Sequence, residues 1–302
     1  MNMTGQASRV AAMSFTKLQP EAVRMMFRKG PGKPFYAMPK VDGVRCLATT
    51  NGLYTKNGHP INALFHIQQN VFKVLYREYR DFDPHAVVLD GELYADRETS
   101  VGELSGVIRS HPFHLNIDEF RKQQKVKYHV FDVYFLQQGV KNMPFDERQV
   151  HLKKILHNAA NGRLQHIIHV KGSAFRDWMQ YENILEKFVK QGTDGIVVYH
   201  PKGVYEQRKR SKKVWKFLPR HVAWFPICGI RKGPRRILFV ECLNPKRHRF
   251  TIGNPLDAKT RKALLSEKQV DRLQVKVQFY KLTPAGIPRF ASIIGCRRKS
   301  GK

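Results

Sequence analysis

The chain has 302 residues, 42% hydrophobic and 11% aromatic, which is enough for two ordinary domains with real cores and excludes a largely disordered protein. Its 54 Lys+Arg against 24 Asp+Glu give a formal net charge of +30, and residues 201–302 alone hold 27 Lys+Arg and 5 Asp+Glu, a net of +22. A surface so basic implies a polyanionic partner, nucleic acid ahead of an anionic membrane or mere solubility, and no apolar run reaches the length of a membrane span.

In chain order, residues 1–18 read as a poorly ordered lead-in, with Val10 to Phe15 too short for a signal-peptide core. Pro20 to Arg28 reads as a short helix ended by Gly30-Pro31-Gly32. Two apolar runs flank Lys40-Val41-Asp42-Gly43, which predicts a strand, a tight turn and a second strand. Leu53 to Thr55 with Asn57-Gly58 predicts another strand and turn. Ile61 to Arg80 is helical in period, with Leu64, Ile67, Val71, Val74 and Leu75 on one face, until Asp83-Pro84 breaks it.

Ala86 to Ala95 reads as a strand interrupted by the polar Asp90-Gly91-Glu92. Thr99 to Arg109 reads as a helix, and a polar, poorly patterned stretch follows to Lys125. Lys127 to Leu136 is a rich β segment around Asp132. Asp146 to Asn158 and Ser173 to Lys190 read as amphipathic helices, the second with Phe175, Trp178, Met179, Leu185 and Phe188 inward. Gly195 to Tyr199 is a buried-type strand opened by Asp194. A basic run from Gln207 to Lys216 then leads past Pro219 into short strands, Phe225 to Ile230, Arg236 to Cys242, Arg249 to Ile252 and Leu273 to Leu282. With one short helix at Asp257 to Leu265, that pattern suggests a small Greek-key barrel, and a boundary at 219/220.

Cys46, Cys228, Cys242 and Cys296 form no C-x-x-C pair, which disfavours a zinc ribbon or a disulfide framework and fits a reducing compartment. His111 and His114 make the only tight histidine pair and read as loop surface.

The chemistry centres on Lys40. An amine there, semi-buried, has Asp42 two residues on and Arg45 five residues on. Desolvation and a neighbouring cation both favour the neutral, nucleophilic amine. Arg45 is expected to be that cation and to hold phosphate oxygens. Further features at strand ends are Glu92, Asp194 and the Lys213/Lys216 pair around Trp215. Carboxylates at strand ends facing one cleft suit a divalent metal on a nucleotide. Each feature also has a plain structural alternative: a hairpin turn at Asp42-Gly43, a β-bulge at Asp90 to Glu92, a turn at Asp194-Gly195, and solvated strand lysines at 213 and 216.

Taken in order, these segments resemble the covalent nucleotidyltransferase superfamily of ATP-dependent DNA ligases, RNA ligases and capping enzymes. K-V-D-G-V-R at 40–45 looks like its nucleophile motif, and T-K-N-G at 55–58 like its second, with Lys56 where arginine is usual. L-D-G-E-L at 89–93, Y-H-V-F-D-V at 128–133, T-D-G-I-V-V at 193–198 and V-W-K-F at 214–217 follow in the family's sequence. G-I-P-R-F-A-S-I-I-G-C-R at 286–297 is similar to the closing motif of small DNA ligases. Met38, Tyr199 and Leu218 depart from the pattern.

The resemblance implies an α+β fold: a nucleotidyltransferase (ATP-grasp-like) domain of antiparallel sheets, residues 1–219, then an OB-fold β-barrel, residues 220–302. It implies ATP-dependent nick sealing through lysyl-AMP and DNA-adenylate. Lys40, Arg45 and Lys216 would be catalytic. Met38, Lys40, Arg45, Lys56, Glu92, Phe131, Lys213 and Lys216 would hold the nucleotide, Phe131 by stacking on the base. Glu92 and Asp194 would hold Mg²⁺, for which Mn²⁺ substitutes. The expected partner is nicked double-stranded DNA, with no membrane, and the expected form is a monomer. Its place would be the cytoplasm, or a host's if virus-encoded, with a role in DNA repair or replication and no nuclease or BRCT-like domain. An RNA ligase or capping guanylyltransferase and a non-enzymatic basic DNA-binding protein are the alternatives.

Overall fold

The computed structural model describes residues 10–17, 25, 34–78, 81–96, 98–110, 116–137, 140–157, 164–234, 237–253, 257–266, 269–283 and 285–299. The expected helix at 20–28, the Gly-Pro-Gly stop, the His111/His114 pair and the first nine residues fall outside them, Met25 excepted. The chain divides into two units, residues 1–217 and 218–302.

In chain order the first unit holds β1 (Ser14–Lys17), β2 (Phe35–Pro39), β3 (Val44–Thr49), β4 (Gly52–Thr55), β5 (Pro60–Ile61) and α1 (Phe65–Phe72). A π-helical turn, Lys73–Glu78, extends α1. Then come β6 (Val87–Tyr94), α2 (Val101–Arg109), α3 (Ile117–Lys125), β7 (Lys127–Phe135) and α4 (Phe145–Ile155). Last are β8 (Ile167–His169), β9 (Ser173–Phe175), α5 (Trp178–Lys190), β10 (Ile196–Tyr199) and β11 (Arg210–Phe217).

Two sheets carry this unit. One has the order β1-β11-β10-β2-β9, the other β5-β4-β3-β6-β7-β8. Pairings are antiparallel except β1 with β11 and β7 with β8, so the sheets are mixed where antiparallel ones were expected. Met38, Leu47, Val88, Phe131, Val197 and Val214 pack together between the sheets. The outer face of the six-stranded sheet buries Ile67, Val71, Val74 and Leu75 of the α1 segment. The outer face of the other buries Tyr181 and Phe188 of α5. Each such side chain contributes about 1.5–3 kcal/mol when fully buried.

Three expectations change here. β2 and β3 do not form a hairpin: β2 pairs with β10 and β9, β3 with β4 and β6, so the turn at 40–43 carries the chain from one sheet to the other. Val10 to Lys17 of the lead-in are ordered, because Val10, Ala11 and Met13 are buried and β1 pairs with β11. And β6 runs unbroken through Asp90-Gly91-Glu92, with a register shift against β7 at Asp90/Gly91 that matches the bulge alternative.

The polar stretch before Lys125 contains α3, started by a capping box in which Asn116 and Glu119 exchange side-chain and backbone hydrogen bonds. The segment 173–190 is β9 followed by α5, because Asp177 caps the helix by accepting from the Gln180 N–H. Met179, expected inward, is 69% exposed.

The second unit holds β12 (His221–Lys232), β13 (Leu238–Leu243), β14 (Arg249–Gly253), α6 (Ala258–Ser266), β15 (Leu273–Phe279), β16 (Lys281–Leu282), β17 (Pro288–Arg289) and β18 (Ser292–Arg298). Its main sheet has the order β14-β13-β12-β15-β18 around Phe225, Val240, Val275 and Ile293. The order is OB-like. Among the described residues no pairing joins β14 to β18, so the strands form an open sheet and not the closed barrel expected.

Candidate active site

Lys40 follows the last residue of β2 and is held through both its backbone groups by the two residues ahead of β10. Its N–H donates to the Gly195 carbonyl at 2.9 Å, and its carbonyl accepts from the Asp194 N–H at 3.3 Å. The side chains follow the backbone: Lys40 Nζ donates to Asp194 Oδ2 at 3.4 Å, with 27% and 17% of the two side chains exposed. The ladder between β2 and β10 thus fixes an amine beside a carboxylate at the open end of a sheet.

Gly43 lets β3 leave this turn. A Cβ there would stand 2.0 Å from the Leu93 carbonyl oxygen, so only glycine permits the approach to β6. The Gly43 N–H hydrogen-bonds Glu92, whose carboxyl burial pushes up to about 7 against the opposing charges of Arg45 and Lys40. Lys40 therefore stands between two carboxylates, one bonded to it and one within its field.

Arg45, expected as the cation near Lys40, is itself paired with a carboxylate. Its Nε and Nη2 donate to Asp90 Oδ1 and Oδ2 at 2.5 and 2.6 Å. Burial would lower the guanidinium's pKa, but the charge and hydrogen bonds of Asp90 outweigh it and the net direction is up. The guanidinium carbon lies 4.6 Å from the ring centroids of both Phe15 and Phe131. The Tyr205 hydroxyl donates to Asp90 and accepts from the Met13 N–H at 3.2 Å. One connected set thus joins β1, β3, β6 and β7 to the loop before β11.

Phe131, expected on a base, is 8% exposed with Arg45 against its ring. Met38 is 3% exposed, opposite Val197 in the ladder. A Cβ at Gly172 would meet Met38 Cγ at 3.1 Å, so the thioether is closely covered.

A cleft of about 490 Å³ opens beside this set. Its lining includes Phe15, Arg45, Lys56, Arg208, Arg210 and Lys216, and among the described residues no carboxylate. Lys216 faces it because it shares the inward side of β11 with Val214, while Trp215 and Phe217 pack on the outer side. Lys213 alternates with Val214 and belongs to the other side, where Nζ donates to the Lys202 carbonyl at 3.3 Å. The structure brings Arg45, Lys56 and Lys216 to one cleft and leaves Lys213 out of it.

Sequence reasoning passed over Asp90, Tyr205 and Arg210. Asp90 stood in the L-D-G-E-L segment and in a possible bulge without a role of its own, and Tyr205 and Arg210 carry no spacing signal. The one available pointer was a tyrosine just ahead of the basic run.

Glu92 and Asp194 each stand near Lys40, and among the described residues no three or more His, Cys, Asp or Glu cluster to hold a metal. Two carboxylates completed by phosphate oxygens fit Mg²⁺, which is commonly held that way, better than a metal needing a full protein cage. No helix among the described residues is long and apolar enough to cross a membrane.

A family model described as the ATP-dependent DNA ligase domain matches residues 16–217. No curated protein matches the chain. Among solved structures, a Lig E DNA ligase described as a minimal DNA-binding scaffold is 22% identical, with a TM-score of 0.67 over 95% of this chain and all of that one. The bacteriophage T7 ATP-dependent ligase, in complex with ATP, is 17% identical, with a TM-score of 0.54 over 95% of this chain and 97% of that one. The Chlorella virus DNA ligase-adenylate is 18% identical, with a TM-score of 0.53 over 96% and 99%. At such identities the likeness shows the fold, a nucleotidyltransferase unit followed by OB-like strands.

Proposed function

Because the chain belongs to the ATP-dependent DNA ligase family, we propose that it seals nicks in duplex DNA through lysyl-AMP and DNA-adenylate intermediates, with Lys40 as the nucleophile. The observation that carries this reading is the double backbone clamp that sets the Lys40 amine against Asp194; a separate cleft lined by Lys56, Arg210 and Lys216 supports it.

In the first step Lys40 Nζ, having lost a proton, attacks the α-phosphorus of ATP. The N–P bond forms, the bond to the bridging oxygen breaks, and pyrophosphate leaves. In the second, the 5′-phosphate oxygen of the nick displaces the lysine and takes the AMP. In the third, the 3′-hydroxyl loses its proton and attacks the phosphorus of the nick's 5′-phosphate, the bond from that phosphorus to the AMP oxygen breaks, AMP departs and the strand is closed. Each step is an in-line phosphoryl transfer, in which positioning and charge neutralisation carry the catalysis.

Asp194 orients the amine through the 3.4 Å contact. Lys216 and Lys56 balance phosphate charge from the cleft. Arg45 serves by holding Phe131 and the strand pair in place, since Asp90 already occupies its fork. Phe131 and Met38, buried between the sheets, back the nucleotide site from within the core. Glu92 and Asp194 would hold Mg²⁺ or Mn²⁺, which when bound neutralises charge on the phosphates. The basic second unit, 20 Lys+Arg against 4 Asp+Glu over residues 218–302, grips the duplex backbone. We place the enzyme as a monomer in a reducing, cytoplasmic setting, acting in repair or replication.

The test uses the intact chain with ATP labelled at the α- or the γ-phosphate. Label retained on the protein from the first alone, together with ATP-dependent sealing of a nicked duplex, is the expected result. No protein-bound label and no sealing would overturn the proposal.

A further inference from the structure

Arg208 stands in a backbone conformation that arginine seldom adopts. Its φ is 62°. The Lys209 N–H donates to the Glu206 carbonyl at 3.2 Å, closing a four-residue turn in which Arg208 is the third residue. Gln207 before it does not have a positive φ. A turn of that form puts glycine at the third position, because a Cβ there crowds the backbone. The conformation is held from outside the turn: the Arg208 N–H donates to the Ala12 carbonyl at 3.2 Å, and the Lys209 carbonyl accepts from Ser14 N–H at 2.9 Å.

The turn is thus stitched to Ala12 and to the first residue of β1, and Arg208 lies in the lining of the cleft that Lys56, Arg210 and Lys216 share. Glycine in this turn would remove the strain and one cation from a crowded group. Strain kept at a site whose lining has several cations and, among the described residues, no carboxylate points to use of the side chain.

We propose that Arg208 is a phosphate-binding residue, whose forked guanidinium takes oxygens of a phosphate monoester or phosphoanhydride entering this cleft. The assignment rests on the nick-sealing reading for its two sources, the 5′-phosphate at a nick and the triphosphate tail of ATP. With Arg45, Lys56, Arg208, Arg210 and Lys216 in its lining, the cleft suits a multiply charged anion, and Arg gives a planar, bidentate match to phosphate oxygens.

The experiment compares the whole protein with Arg208→Gly and Arg208→Lys. One arm measures by fluorescence anisotropy the affinity for a nicked duplex bearing either a 5′-phosphate or a 5′-hydroxyl. The other measures binding of ATP and of inorganic pyrophosphate by calorimetry. Thermal unfolding is followed for each variant. The expected result is that Arg208→Gly unfolds at the same or a higher temperature yet loses about tenfold in one arm, the size of a charge-assisted contact. Arg208→Lys should recover part of that loss. Loss of the preference for 5′-phosphate over 5′-hydroxyl assigns the contact to DNA, and loss confined to ATP and pyrophosphate assigns it to the nucleotide. Unchanged binding in both arms overturns the proposal, as does a fall in binding that only tracks a fall in unfolding temperature. Wild-type protein that forms no lysyl-AMP would sink the nick-sealing reading alone, since both binding arms still read the cleft directly.

Discussion

Arg45 and Asp90 meet through two parallel N–H···O bonds on adjacent strands, with none of the Asp90 side chain exposed and 15% of Arg45. The pair is structural in its first duty. Asp90→Ala would leave a buried guanidinium without its counter-ion, and such a break costs about 3–5 kcal/mol. Tyr205→Phe removes one donor from the same carboxylate and should cost about 1–3 kcal/mol. Urea unfolding of the two variants checks both. Equal, near-zero losses would show that the set does not bind β1 to the strands beneath it.

Lys40→Ala should abolish lysyl-AMP formation and sealing of an ordinary nick, while sealing of a pre-adenylated nick persists, because that step bypasses the lysine. Labelling with α-phosphate-labelled ATP, run beside a pre-adenylated duplex, separates the two. Protein-bound label in the variant would refute the assignment of Lys40.

Glu92, with its carboxyl at about 7 and not 4.5, predicts two pH effects of opposite sense. A raised folded-state pKa adds stability that is complete below about 4.5 and is lost as pH rises through about 7. Glu92→Gln should therefore match wild type in unfolding temperature near pH 4 and exceed it near pH 8. Metal binding needs the ionised form, so adenylation should rise through about pH 7 in wild type, and more Mg²⁺ should move that rise to lower pH. An inflection that ignores Mg²⁺ concentration, or survives in Glu92→Gln, assigns it to another group.

Asp194→Ala should unfold within a few degrees of wild type, since 17% of the side chain is exposed and its backbone bonds to Lys40 remain. Sealing should fall about a hundredfold or more, the scale of losing one electrostatic stabiliser. Steady-state rates on a nicked duplex, with a melting curve, decide it; near-normal rates would remove Asp194 from the chemistry.

Residues 201–302 carry +22 of the net +30. Duplex affinity should fall about 10³–10⁵-fold between 50 and 200 mM salt if 6–10 phosphates are contacted, and should be nearly blind to sequence. An anisotropy titration across a salt series checks this, and a flat response would give that charge another task.

The sequence made local chemistry legible and left partnership dark. Lys40, Glu92, Asp194 and Lys216 were singled out because each sits in a short run that carries its own turn or strand signal. That Arg45 spends its fork on Asp90 is a fact about strands 45 residues apart, which no local pattern encodes. Lys213 and Lys216 look alike in the basic run, and only the alternation of β11 puts them on opposite sides. The miss at α3 was avoidable, since Asn116 and Glu119 stand at capping-box spacing. The miss at β1 was not, because its four residues are too few to show a period.

The pairing of β1 with β11 also sets a schedule. Thr16 bonds to the Ser211 carbonyl across 195 positions. A ribosome emits β1 and β2 long before β10 and β11 exist to receive them. The six-stranded sheet finds most of its neighbours close behind in the chain and is positioned to condense early. The other sheet must wait with its edges bare until residue 217 has emerged. The turn bearing Lys40 joins the early sheet to the late one, so the lysine is the seam at which a nascent, half-built molecule becomes a finished one.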